Sequence, residues 1–146
     1  MFDKIRQWRT VMGGFRLRDV WWAAQVTGML AVVPVIKHRL SVPALVKLFD
    51  ARPRPGSGGD WRRLNLIVKG LLRRTHRKDY CLPYSLILFH FCRKWGHSTR
   101  IFIGARKGEE GLDGHAWVLI DGEPVPGLTP VNDAYATFFS YPEPTA

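Results

Sequence analysis

Cysteine is nearly absent from this chain: 146 residues contain two, Cys81 and Cys92. Two thiols cannot make a disulfide framework, and eleven residues apart on one helix they would lie about 16 Å apart, beyond disulfide reach. Free thiols point to a reducing compartment, and so to the cytoplasm. No closely spaced Cys or His pair of the zinc-finger kind occurs, and His76, His90 and His97 are scattered, so no metal is expected. A Gly-rich phosphate loop and an internal repeat are both missing. Base-stacking aromatics interleaved with basic residues are missing too, which argues against nucleic acid as a partner. No small-residue cleavage site follows the N-terminal apolar run, so a cleaved signal peptide is not expected.

Acidic residues are also few, 12 against 22 Lys and Arg, for a net charge of +10. The shortage is uneven. Residues 1–59 carry 10 basic and 3 acidic groups, residues 60–98 carry 9 and 2, and residues 99–146 carry 3 and 7. On charge alone such a surface suits nucleic acid, an anionic lipid or an acidic peptide, and it equally suits plain solvation.

What is present is material for one core, with 46% apolar residues and six Trp. Between Val20 and Ile36 lie 17 residues without formal charge, flanked by Arg16, Arg18, Lys37 and Arg39. A span needs about 20 predominantly apolar residues. This run is shorter, contains Gln25 and Thr27, and is interrupted by Pro34, so a buried or interfacial helix is preferred and membrane association is not favoured. Ser41 caps a short helix from Pro43 to Phe49. ARPRPGSGG, residues 51–59, has linker composition. Asp60 then caps a helix to Thr75, with Trp61, Leu64, Val68 and Leu71 on one side and Arg62, Arg63, Lys69, Arg73 and Arg74 on the other. That basic side is either solvated or a receiver for an anionic partner.

A further helix begins close to Cys81, with Pro83 harmless in its first turn, and closes at Trp95-Gly96. A strand follows over Thr99 to Ala105, KGEEGLDG has the composition of an exposed loop, and a second alternating strand opens at His115. Asp121-Gly122 is a two-residue hairpin signal. A thiol attacks as thiolate, and a helix N-terminus favours the anion through unpaired N–H groups and the aligned dipole. Cys81 sits where that effect is available. Cys92, near the far end, reads as a small buried hydrophobe. His115, 34 residues downstream, is placed to serve as base, and a helix-borne Cys facing a strand-borne His is the layout of papain-like and transglutaminase-like acyl transfer. Trp117 shares the face of His115 and reads first as packing.

CLPYSLILFHFCRKWG, followed by RIFIGARK and GHAWVLIDGEPV, resembles the transglutaminase-like leader peptidases of lasso-peptide biosynthesis, the family of the microcin-processing protein's C-terminal domain. The likeness runs from about Trp61 to Val125. It implies a cysteine peptidase that removes the leader from a ribosomally made precursor, with Cys81 as nucleophile and His115 as general base. It also implies a small leader-binding partner protein and an ATP-using lasso cyclase, with no cofactor in this chain. The family's acid stands twelve positions after the His, and here that place is Gly127. Asp121 is about 20 Å of strand from His115 and reads as a turn residue. Asn132 or Asp133 could return to the imidazole, with Asp133 preferred because a carboxylate also stabilises the imidazolium.

The expected architecture is α+β: a helical region over residues 1–50, a linker or exposed loop over 51–59, and a small papain-like, transglutaminase-like cysteine peptidase domain over 60–146, with a helix packed on an antiparallel sheet. Two alternatives stand beside the peptidase. One is a transglutaminase-like acyl transferase using the same acyl-enzyme. The other is a non-catalytic basic module for a protein or membrane, with a degenerate site.

Overall fold

The computed structural model describes residues 17–54, 59–75, 80–130 and 134–143. Among the described residues, four helices come first: α1 (Leu17–Ile36), α2 (Val42–Phe49), α3 (Trp61–Thr75) and α4 (Cys81–Lys94). Four strands follow: β1 (Thr99–Gly108), β2 (Gly111–Ile120), β3 (Glu123–Pro124) and β4 (Ala136–Tyr141). They form one antiparallel sheet in the order β3-β2-β1-β4. The architecture is α+β, helices before sheet, as the sequence implies.

Local signals account for most boundaries. Ser41 caps α2 by accepting from the Ala44 N–H, and the Asp60 carboxylate accepts from the Arg62 N–H at the start of α3. Gly96, at φ 87°, takes the left-handed position that ends α4. Asp121 and Gly122, both at positive φ, make the tight turn between β2 and β3. Pro34 does not end α1, which runs on to Ile36. A proline forfeits one ladder bond, and here only half a turn of helix lies beyond it.

The larger departure is at KGEEGLDG, where no exposed loop exists. β1 continues to Gly108 and β2 starts at Gly111, so only Glu109 and Glu110 turn. Cross-strand pairing sustains the ladder where apolar alternation has run out: Arg106 Nε lies 3.0 Å from Asp113 Oδ2, directly opposite. His115 is therefore the fifth residue of its strand, opposite Gly104, and not the first.

The sheet has a covered and an outer face. Ile101, Ile103, Ala116, Val118 and Ile120 point one way and are buried. α4 lies on that face, as the contact of Phe89 with Tyr141, the cross-strand partner of Ile101, shows. Trp22, Val26 and Val33 of α1, Leu45 and Val46 of α2, and Leu64 and Val68 of α3 join the same core. Arg100, Phe102, Gly104, His115 and Trp117 point the other way.

Several polar contacts among the described residues tie helices together, and two of them involve groups that bear on stability. Asp19 of α1, buried, receives Arg63 of α3 in a two-pronged ion pair, so Arg63 is not part of a freely solvated basic face. His90 of α4 donates from Nδ1 to the Phe49 carbonyl. Its pKa is lowered mainly by burial, with Lys94 adding and the carbonyl bond opposing.

Arg63→Ala should cost about 3 kcal/mol by leaving the Asp19 carboxylate buried without its main partner, read by denaturant unfolding. For His90, a lowered folded value means that the unfolded chain binds the proton more readily. Its contribution is then full above about pH 6.5 and is lost as pH falls through the lowered value. The Tm gap between wild type and His90→Gln should therefore be wide at about pH 7.5 and narrow at about pH 5, measured by calorimetry.

Candidate active site

α4 and β1 set the level of the site. The turn at residues 95–98 reverses the chain, so β1 runs back along α4. Fourteen helical residues rise about 21 Å, and the five steps from Thr99 to Gly104 cover about 17 Å. Gly104 and its partner His115 therefore come level with the start of α4, where Cys81 is the first helical residue.

Cys81 is half-buried and packs on the edge of the core. The first ladder bond of α4 is Tyr84 N–H to Tyr80 O. Pro83 has no N–H, so the helix leaves the N–H groups of Cys81 and Leu82 without intrahelical partners. They are two backbone donors next to the sulfur, suited to an oxyanion. Cys92, on the same helix, is fully buried, and burial followed by the charge of Asp121 pushes its thiol well up.

The imidazole of His115 is held on three sides. Its ring stacks on Tyr135 at 5.0 Å and on Trp117 at 5.9 Å, and Nε2 lies 2.7 Å from the Leu128 carbonyl oxygen. A carbonyl only accepts, so Nε2 carries the proton and the neutral ring keeps Nδ1 as its proton acceptor. The carbonyl is itself fixed. Leu128 is buried, its N–H and that of Thr129 bond to Val125 O, and the Thr129 hydroxyl joins Val125 N–H to Val118 O. Gly127, at φ 81°, makes the turn that aims it.

Tyr135 is the aromatic neighbour of the His115 ring. Its hydroxyl donates to Asp113 at 3.2 Å, and the Arg106 guanidinium lies over its ring. Its pKa is raised by burial first; Arg106 opposes, and the negative charges of Asp113 and Cys81 add. The side chain stacked on His115 thus lies within the electrostatic reach of the Cys81 sulfur. Sγ and the imidazole are not hydrogen-bonded to each other, and His115 stands on the outer sheet face, across from α4. Gly104 makes the arrangement fit: a Cβ there would come 2.9 Å from Ala136 O, 3.0 Å from the Trp117 ring and 3.1 Å from Tyr135 Cβ.

Asp121 sits at the far end of β2, bonded to His97 and to the Ser98 N–H. The His97 bond is the main cause of its lowered pKa, and it takes no part at His115. Asn132 and Asp133 lie outside the described residues. The Leu128 carbonyl, next to Gly127, is the partner that sequence reasoning missed, because no side-chain pattern marks a backbone acceptor. Among the described residues no group of three His, Cys, Asp or Glu is arranged to hold a metal ion.

A family model described as the transglutaminase-like superfamily matches residues 24–140. No curated protein and no solved structure matches the chain.

The two thiols should differ sharply in the folded protein. Iodoacetamide at mildly alkaline pH should modify Cys81 and spare Cys92, with Cys92 reacting only after unfolding, as read by peptide mass spectrometry.

Proposed function

This chain belongs to the transglutaminase-like superfamily, and we propose that within it the protein is a cysteine peptidase that removes the leader from a ribosomally made lasso-peptide precursor. The observation that carries this is the Nε2–H bond from His115 to Leu128 O. It fixes the tautomer in which Nδ1 is the base, in a chain whose other candidate group is a half-exposed thiol at a helix start.

The chemistry follows from those groups. Nδ1 takes the Cys81 proton, and the thiolate adds to the scissile carbonyl carbon. The resulting oxyanion is met by the Cys81 and Leu82 N–H groups. The C–N bond then breaks as the imidazolium returns its proton to the leaving amine, and water activated at Nδ1 hydrolyses the thioester. Attack requires Sγ, at the start of α4, and Nδ1, on the outer sheet face, to be brought within hydrogen-bond reach of each other, a rearrangement larger than the tightening of an existing bond. The Leu128 carbonyl orients the ring but carries no full charge to stabilise the imidazolium. Asp133 is the carboxylate proposed to add that stabilisation.

The partners proposed with this activity are the precursor leader, a small leader-binding protein and the lasso cyclase, in the cytoplasm. The exposed arginines of α3 are proposed to receive the leader or the protein that presents it. Arg62, paired with Glu123 at 2.5 Å, marks the edge of that face next to β3.

Cys81→Ala and His115→Ala should each lower cleavage of the precursor by at least ~10³-fold in the presence of the leader-binding partner, with folding intact by circular dichroism. The products are read by mass spectrometry with and without a primary amine. Hydrolysed products support the peptidase, whereas amine adducts of the acyl fragment would make the enzyme an acyl transferase. Full cleavage by Cys81→Ala would end both accounts.

A further inference from the structure

We propose that the outward face of α1 is a docking surface for an anionic lipid bilayer, on which the helix lies in the plane of the membrane. The helix is apolar on two sides. One side enters the core through Trp22, Val26 and Val33. The other carries Leu17, Val20, Trp21, Val32 and Val35 into solvent, with Leu17 90% and Trp21 65% exposed. Ala24, Thr27, Gly28 and Ala31 stand exposed between them, with the half-buried Gln25 at the margin, and the Thr27 hydroxyl turns back to bond the Ala23 carbonyl. An uncharged strip about 27 Å long results.

Two observations choose the occupant. Leu17 to Arg54 contains six Lys and Arg against two Asp. Asp19 and Asp50 are both ion-paired to arginines of other helices, Arg63 and Arg93. The surface framing the strip is therefore cationic, with Arg18 at one end and Lys37 and Arg39 at the other. An apolar face with a Trp, bordered by cations, suits the headgroup boundary of an anionic bilayer. A second copy would bring two +10 chains together. The buried side decides the geometry. With Trp22, Val26 and Val33 in the core and Asp19 held by Arg63, the helix cannot leave the domain to span, and a bilayer meets it side-on.

The test is flotation of the full chain with vesicles of phosphatidylglycerol and phosphatidylcholine, or of phosphatidylcholine alone. The wild type should bind the anionic vesicles at least ~10-fold more tightly than the neutral ones, and added salt should weaken it. The double variant Val20→Asp, Val35→Asp should lose that binding with an unchanged Tm, since both positions are exposed. Lys37→Glu with Arg39→Glu should reduce it as well. Absence of binding, or equal binding by the aspartate variant, would overturn the proposal. So would a concentration-dependent dimer, seen by light scattering, that the aspartate variant abolishes while vesicles are ignored, since the strip would then belong to a second copy. None of these outcomes depends on the peptidase activity.

Discussion

The packing of α4 against one face of the β1–β2 pair is the constraint from which the rest of the molecule follows. Nine of the helix's residues, Pro83 to Phe89 together with Phe91 and Cys92, are buried, so it has almost no solvent side and cannot slide or rotate without opening cavities. Its two ends are thereby fixed. At one end Gly96 turns the chain directly into β1, and at the other the first turn must emerge where β1 meets Gly104. The position of the Cys81 sulfur is thus a consequence of core packing, not of any interaction made by the thiol itself. α1, α2 and α3 complete the enclosure, and the Asp19–Arg63 and His90–Phe49 contacts fix their placement.

A different kind of order governs the outer face of the sheet. Phe102, Trp117, His115 and Tyr135 form a continuous row of stacked or tilted rings, with Arg100 over Phe102 at one end and Arg106 over Tyr135 at the other. Such a row gains offset stacking and cation–π attraction beyond its buried area. It also leaves the imidazole little freedom to tilt. With Nε2 bonded to Leu128 O, the remaining ring nitrogen is Nδ1. A backbone carbonyl shares with a carboxylate the task of orientation but not that of charge. A backbone dipole supplies far less attraction to an imidazolium than a full negative charge does, so the Leu128 carbonyl holds the ring without supplying that charge.

Much of this was legible in the chain because it depends on local chemistry. Ser41, Asp60, Gly96 and the Asp121-Gly122 pair each act within a few residues, and their types announce their roles. The alternation of β1 and β2 likewise separates the buried Ile101 and Val118 from the outer Phe102 and Trp117. What stayed hidden depends on partners far apart in sequence. The hairpin through KGEEGLDG is held by Arg106 meeting Asp113 across the strands, and polar composition alone gave a loop. The Leu128 carbonyl bears no signature, because any residue supplies one. The basic side of α3 read as a single surface, yet Arg63 belongs to Asp19, 44 residues earlier.

That last pair also explains how α1 chooses a face. A helix apolar all round has no hydrophobic reason to bury one side over another. Asp19 breaks the tie. Its carboxylate can be buried only where a cation meets it, and Arg63 offers that meeting on one side of α1 alone. Turning the helix by half a revolution would exchange Trp22, Val26 and Val33 for Trp21, Val32 and Val35 at nearly equal apolar content, but it would separate Asp19 from its guanidinium. A single ion pair therefore selects which apolar strip is enclosed and which is left facing outward. The exposure of the second strip is then a fixed property of the fold, set by an electrostatic contact on the opposite side of the helix.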